Sequence, residues 1–466
     1  MKRKLLILTL LLAAATSWAQ ERTLIHIEHA NQFHKARGSE AVLLKGDVRI
    51  SHDNTLFFCD SAYYIEGRYA EFFGNVRMMD DSTLLETEYL TYDRDQHLAS
   101  YPDHGVTTRG DKRLVSDMGY YRDDLKEFSC FQNVEVTSPK YRMLTDTLYY
   151  NTRLEKMWFL GPTTILNEDN TLEGTHGYYL TERDLAYLDR QPVMYNETQT
   201  LTADSLLYDR QNGFAKAMDH IQMIDTSYKV ILRGQYAELW EKIGFSFATD
   251  HAYAVYYDDP DSLFITSDTL FYHFKTELND EELIIGRRQV RFFKSDMQGR
   301  CDTMTYHMAD SIIRMRVDPV LWTDDSQMTG DQIDIRIAHR AIDSLFQRGN
   351  AFIISKDTVE GYNQIFGAEM VSKFLEGSID HVDIGDNAKV ISWLREDDSS
   401  LIGINKSSAN RMRIVMKDRE ISLIRYYGNI NETLYPAKDL NESERYLDGF
   451  LWREEERPRS REDLIK

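Results

Sequence analysis

The chain has 466 residues, with 76 Asp and Glu against 55 Lys and Arg, and a formal net charge of -21. A surface of that sign repels nucleic acid and anionic membranes, and nucleic acid is excluded as a partner. With 42% apolar and 12% aromatic residues, the composition is that of a folded protein with a core rich in Tyr, Phe and Met, not of an acidic disordered tail.

Residues 1–19 have the pattern of a signal peptide: basic Lys2, Arg3 and Lys4, an apolar run from Leu5 to Ala15, and small residues at Ser17 and Ala19. The mature chain then starts at Gln20, and removing three cations takes the charge from -21 to about -24. The apolar run is too short for a spanning helix, and no later stretch reaches the roughly 18 apolar residues one needs. No cysteine follows the cleavage point to take a lipid anchor. The leader is of bacterial type, so a soluble exported protein of the periplasm is expected.

The stretch HIEHANQFH (26–34) gathers His26, His29 and His34 around Glu28. Its order is not the helical H-E-x-x-H zinc pattern, and the alternation puts His26 and Glu28 on one strand face and His29 on the other, so no metal site is expected there.

A repeat then organises most of the chain. Asp60, Glu88, Asp117, Asp146, Thr175, Asp204, Gln235, Asp268, Asp302 and Asp331 recur at steps of 28 to 34 residues, 29 being commonest. Four residues after each comes Tyr64, Tyr92, Tyr121, Tyr150, Tyr179, Tyr208, Leu239, Tyr272, Tyr306 and Ile335. Between them an apolar strip runs through Ala62, Leu90, Met118, Leu148, Leu206, Leu270, Met304 and Ile333, with Gly177 and Ala237 as smaller members. Alternate residues of a strand share a face, so the period of two predicts a recurring strand. The Asp is expected to bond nearby backbone N–H groups in a turn, and the Tyr to pack with its hydroxyl at the sheet margin. Turn residues such as Gly67, Asp95 and Asn212-Gly213 end each strand, and a later piece begins after a small or turn residue, as in GNVRM (74–78), QNVEV (132–136) and GNAFI (349–353). Short strands at a fixed period of about 29 residues mark an all-β solenoid, with a parallel β-helix and an elongated jelly roll both fitting.

The remaining features read as structural. Cys59, Cys130 and Cys301 are too sparse for a disulfide framework and sit where small packed residues recur. The acidic pairs Asp80-Asp81, Asp258-Asp259 and Asp397-Asp398 lie in turn contexts and read as exposed loops, while Arg287-Arg288-Arg291 and Arg411-Arg413 read as solvated strand faces. Asn441 with Glu444 opens a possible helix carrying Tyr446, Leu447, Phe450 and Leu451, with Gly449 inside it. Phe450 and Trp452 are candidates to cap the last sheet edge, with a docking peptide as the alternative.

The tandem Asp-x-Leu-x-Tyr units, the Gly-Asn-Val phrases and the late stretch Gly367, Met370, Phe374, Gly377 and Gly385 through Asn387-Ala388 resemble the OstA-like family, relatives of the lipopolysaccharide transport protein LptA and of the N-terminal periplasmic domain of LptD. The resemblance spans about Leu24 to Ile430. It implies an elongated OstA/LptA jelly-roll, or β-taco, with OstA-like repeats over 20–195 and 196–435 and a short helical cap and polar tail over 436–466. It implies no catalytic residue, metal or cofactor, an apolar groove along Ala62, Leu90, Met118, Leu148, Leu206, Leu270, Met304 and Ile333, and lipopolysaccharide or a related amphiphilic lipid as ligand. Other outer-membrane assembly proteins would join it by edge-strand pairing. A polysaccharide-active parallel β-helix and an exported structural or adhesive repeat protein are the alternatives.

Overall fold

A computed structural model describes residues 24–465, apart from 66, 258–260, 324, 340, 358, 397 and 418–419. The leader expected over 1–19 lies outside the described residues, as do Asp258, Asp259 and Asp397 of the acidic pairs. The fold divides into two units at Asp184 and Leu185, somewhat before the boundary drawn at 195.

Both units are built from long strands that pair antiparallel with their sequence neighbours, as in Ala41–His52, Thr55–Ile65, Tyr69–Asp80 and Thr83–Asp93. Antiparallel pairing removes the parallel β-helix and leaves an all-β jelly roll, with a short helix at Glu462–Ile465. No helix among the described residues is long and apolar enough to cross a membrane.

Each long strand turns a corner near its middle. The register of pairing slips between Lys45 and Val48, Phe73 and Val76, Phe131 and Val134, and Arg348 and Ala351. At these slips two successive residues have positive φ: Gly46 and Asp47, Gly74 and Asn75, Gln132 and Asn133, Gly349 and Asn350. Gly and Asn enter this left-handed region at least cost, which is why Gly-Asn recurs. Val76, Val134 or Ala351 then follows as the first buried residue beyond the corner. The Gly-Asn-Val phrase is thus a bulge that bends a strand.

The recurring aspartates serve the same corner. Asp60 accepts from Asn75 Nδ2 at 2.9 Å, Asp117 from Asn133 at 2.6 Å and Asp331 from Asn350 at 3.3 Å. A Cβ placed on Gly74 would meet Asp60 Oδ2 at 2.6 Å, so the carboxylate lies directly over the glycine. The expected backbone turn bond is replaced by a side-chain tie to the next strand.

Bending folds each unit's sheet onto itself. The halves carrying the repeated tyrosines form a tyrosine leaf, and the halves beyond Gly-Asn-Val form a valine leaf facing it. In the N-terminal unit Phe57 of the valine leaf stacks on Phe72 of the tyrosine leaf at 4.8 Å and meets Tyr92 at 4.9 Å. In the C-terminal unit Met304, Met315, Ile333 and Leu345 meet Met297, Leu321, Met328 and Ile353 in one core. Cys59, Cys130 and Cys301 are buried free thiols, and burial pushes Cys130 up to about 11 and the other two to about 12.

Beyond Asn431–Tyr435 the chain does not continue as the expected helix. Short 3-10 turns form instead at Ala437–Asp439, Glu442–Arg445 and Glu454–Glu456; in the second, Asn441 N–H donates to Glu444 Oε2 at 3.0 Å, and Gly449 at φ +85° takes the chain out of helical conformation. The segment then runs back as a strap over the outer face of the valine leaf of its own unit. Gln364 and Gln327 hold it as a neighbouring strand would. Gln364 donates to Arg445 O at 2.8 Å and accepts from Leu447 N–H at 2.7 Å, and Gln327 donates to Leu451 O at 2.7 Å and accepts from Arg453 N–H at 2.6 Å. Leu440 and Leu447 cover Ile391, Trp393 and Ile404. Phe450 and Trp452 both pack on Tyr362, 5.2 Å away, on this face and not over the last sheet edge.

Candidate functional site

The interior between the leaves is where the apolar strip lies. Ala62, Leu90, Leu148, Leu206, Leu270, Met304 and Ile333 are all buried there. Met118 is not among them. It pairs with Phe131 on the outer face, while Gly119, one residue later, occupies the strip position and pairs with Cys130. Tyr101 fills the space this glycine leaves, since a Cβ there would meet its hydroxyl at 2.3 Å.

Opposite the corners, the hairpin turns of the two leaves border a mouth, and the repeated tyrosines reach it. In the N-terminal unit this mouth is clasped from leaf to leaf. Tyr121 donates to Asp80 at 2.5 Å and Lys126 sits 2.6 Å from the same carboxylate. Asp80 is therefore buried, against its expected place in an exposed loop, while Asp81 beside it is exposed. Arg109 and Lys112 each reach Glu155 at 3.2 Å, and Tyr150 donates to it at 2.9 Å. Burial alone would raise Glu155, but bonds from Thr181, Tyr150 and Lys112 hold its carboxyl below the usual range. Burial, reinforced by the adjacent carboxylates, pushes Tyr92, Tyr121 and Tyr150 well above the usual phenol range. Each hydroxyl therefore keeps its proton and acts as a donor.

The C-terminal unit differs at the same margin. A cavity of about 750 Å³ in the N-terminal unit lies on the polar outer corner around Asp60 and Asn75, but here one of about 610 Å³ opens at the mouth itself. Tyr256, Leu263, Met297, Tyr306, Ile313, Ile337 and Ile342 supply its apolar wall, with Lys229, Asp261, Lys294 and Asp296 at the rim. Lys294 pairs with Asp296 at 2.8 Å and Asp261 at 3.5 Å, so these ion pairs run along one leaf and do not tie the two together. Beneath lies a core containing Met297, Met304, Met315, Met328, Met370 and Met412. Unbranched thioether side chains adapt their packing more readily than Val or Ile.

The other residues singled out in sequence do not converge on a site. His29 bonds Asn31 at 3.2 Å and His34 bonds Gln32 at 3.3 Å, all of them exposed. Arg413 is held by Asp383 at 2.5 and 2.6 Å, and Arg288 lies 3.7 Å from the corner residue Asp268. The mouth itself was missed, because its wall comes from turns that the repeat frame leaves out; the cluster of Met297, Met304, Met308 and Met315 was its one visible signal.

Residues 22–84 and 63–146 match the family model described as OstA-like protein. No curated protein matches the chain. Among solved structures, one similar chain is LptH of Pseudomonas aeruginosa, described as the LptA homologous periplasmic component of the conserved lipopolysaccharide transport device, at 13% identity and a TM-score of 0.25 over 30% of this chain and 95% of that one.

Proposed function

This chain is OstA-like over residues 22–146, and from that premise we propose that it is a non-enzymatic periplasmic protein that binds lipopolysaccharide or a related lipid between its leaves and serves lipid transport or assembly at the outer membrane. The mouth over a methionine-rich core in the C-terminal unit carries the proposal. An acyl chain gains about 0.8 kcal/mol for each CH₂ it buries, so an apolar interior can hold lipid in water without strong local contacts. Acyl chains enter past Leu263 and Ile342, and the head group stays at the rim near Lys229 and Lys294, where its phosphates meet cations despite the acidic surface. Within each unit the buried strip, without Met118, lines the space between the leaves: Ala62, Leu90 and Leu148 in the N-terminal unit, and Leu206, Leu270, Met304 and Ile333 in the C-terminal one.

The terminal strands support the assembly role. Among the described residues Gln32–Lys35 pairs only with Ala41–His52 and Asn431–Tyr435 only with Leu401–Ala409, and each would offer its second edge to another Lpt-type protein.

The test is site-specific photo-crosslinking in living cells, with the photoreactive residue placed at Leu263, Ile342, Leu148 and the outward-facing Tyr63. Lipopolysaccharide adducts at Leu263 and Ile342 and none at Tyr63 are expected. Adducts at Leu148 as well would show that the N-terminal unit also admits lipid behind its clasped mouth. Folded, exported protein with no adduct at the mouth positions would overturn lipid binding.

A further inference from the structure

We propose that His52, Asp53 and His97 form a zinc site that staples the two leaves together across the mouth of the N-terminal unit. His52 and Asp53 belong to a tight hairpin of the valine leaf, where His52 pairs with Thr55 and Asp53 takes φ +52°. His97 lies in the turn between Thr83–Asp93 and Leu98–Tyr101 of the tyrosine leaf. The 45 positions separating the two histidines are why no sequence motif announces the group.

Geometry and proton bookkeeping agree. One donor atom from each of the three residues lies within 4.8 Å of the others, His52 Nε2 is 3.9 Å from Asp53 Oδ2, and the imidazole centroids are 5.6 Å apart. Asp123 sets both tautomers from behind. Its Oδ1 is 2.8 Å from His97 Nδ1, and its Oδ2 accepts from the Tyr92 hydroxyl at 2.7 Å. A carboxylate only accepts, so the proton of this bond sits on His97 Nδ1. Tyr92 spends its one proton on Asp123 and therefore accepts from His52 Nδ1, 2.6 Å away. Each ring is thus held by a hydrogen bond at Nδ1, which makes Nε2 the nitrogen through which either would bind a metal. That is the outer-shell arrangement that orients metal-binding histidines and raises their basicity.

Two imidazoles and one carboxylate suit Zn²⁺ better than Ca²⁺ or Mg²⁺, which take oxygen ligands. Zn–N bonds of about 2.0–2.1 Å place donor atoms roughly 3.3 Å apart, so the group must tighten by about an ångström or so. His52 is fixed, at 1% exposure, while Asp53 and His97 are more exposed at 44% and 31% and lie in turns that can supply the movement. The bound ion would join the leaves where the other closures are hydrogen bonds and ion pairs.

The experiment uses full-length mature protein without a polyhistidine tag, stripped with chelator and titrated with Zn²⁺ by calorimetry. One tight equivalent is expected, with hydrogen exchange slowed in both turns, 52–55 and 94–97. His97→Ala should weaken binding more than about 100-fold, and Asp123→Asn by about 10–100-fold, the range seen for outer-shell partners. His34→Ala should leave it unchanged. His97 is part-exposed, so its variant keeps the fold, which circular dichroism checks. Absence of a tight equivalent, or Zn²⁺ affinity untouched by His97→Ala, would overturn the site.

Discussion

The corner between leaves depends on side chains that tolerate positive φ. Gly, Asn, Asp, Gln and His fill most of these positions, but Val317 sits at φ +62° with Asp318 following at +53°. A β-branched residue in the left-handed region costs roughly 1–2 kcal/mol. Val317 is 62% exposed and so recovers little of this by burial. Val317→Gly is therefore expected to raise stability by about 1 kcal/mol in urea unfolding, net of the entropy glycine adds to the unfolded chain. At this scale the sequence was partly transparent. The spacing of Asp60 and Gly74-Asn75 was visible as two separate repeats, but their contact was not, because the tie crosses to a neighbouring strand. Period-two counting also cannot protect against a slip of one residue, which moved Met118 onto the strip in place of Gly119.

Among the elements, the strap is the least like the repeat. Its backbone is caught by glutamine amides that imitate a strand partner, so replacing the amide removes the acceptor of a part-buried N–H. Gln364→Leu should destabilise the C-terminal unit by about 1–3 kcal/mol, with faster hydrogen exchange at Leu447 than at residues of the core strands. The strap also has an ionic anchor, since Arg453 contacts both Asp318 and Glu456. The Arg453 guanidinium holds both carboxyls below their usual values. Their contribution is present above the ordinary carboxylate range and is lost as pH falls through the lowered values, so acid should loosen the strap; hydrogen exchange across 445–456 reads this directly. The strands were legible because alternation repeats for ten units, whereas the strap carries no period and is ordered by the surface it covers. Its aromatic content announced packing but not the face.

For the molecule as a whole, the buried tyrosines and thiols set an alkaline limit. Tyr92, Tyr101, Tyr121 and Tyr150 are raised above an ordinary value of 10.0 chiefly by burial, as Tyr272 is in the C-terminal unit. Cys130 is raised likewise from 9.0 to about 11. In the unfolded chain these groups ionise near their ordinary values, so stability is complete below about pH 9 and declines as pH climbs toward the raised values. Thermal melts from pH 8 to pH 11 should show a falling midpoint, with the thiols unreactive to alkylation until the transition. Fold class was legible because many weak units agreed. Whether the leaves part or close depends on turns that bring Tyr121 to Asp80 in one unit and leave Tyr256 and Ile342 around an opening in the other, and contacts between such distant positions leave no local pattern. The strap adds an order in time. Its residues follow in the chain every strand they cover, so synthesis from the amino end delivers the outer valine leaf of the C-terminal unit before its cover. Until that last stretch emerges, Ile391, Trp393 and Ile404 remain uncovered, and a prematurely stopped chain would display the greasy flag by which quality-control proteases know unfinished work.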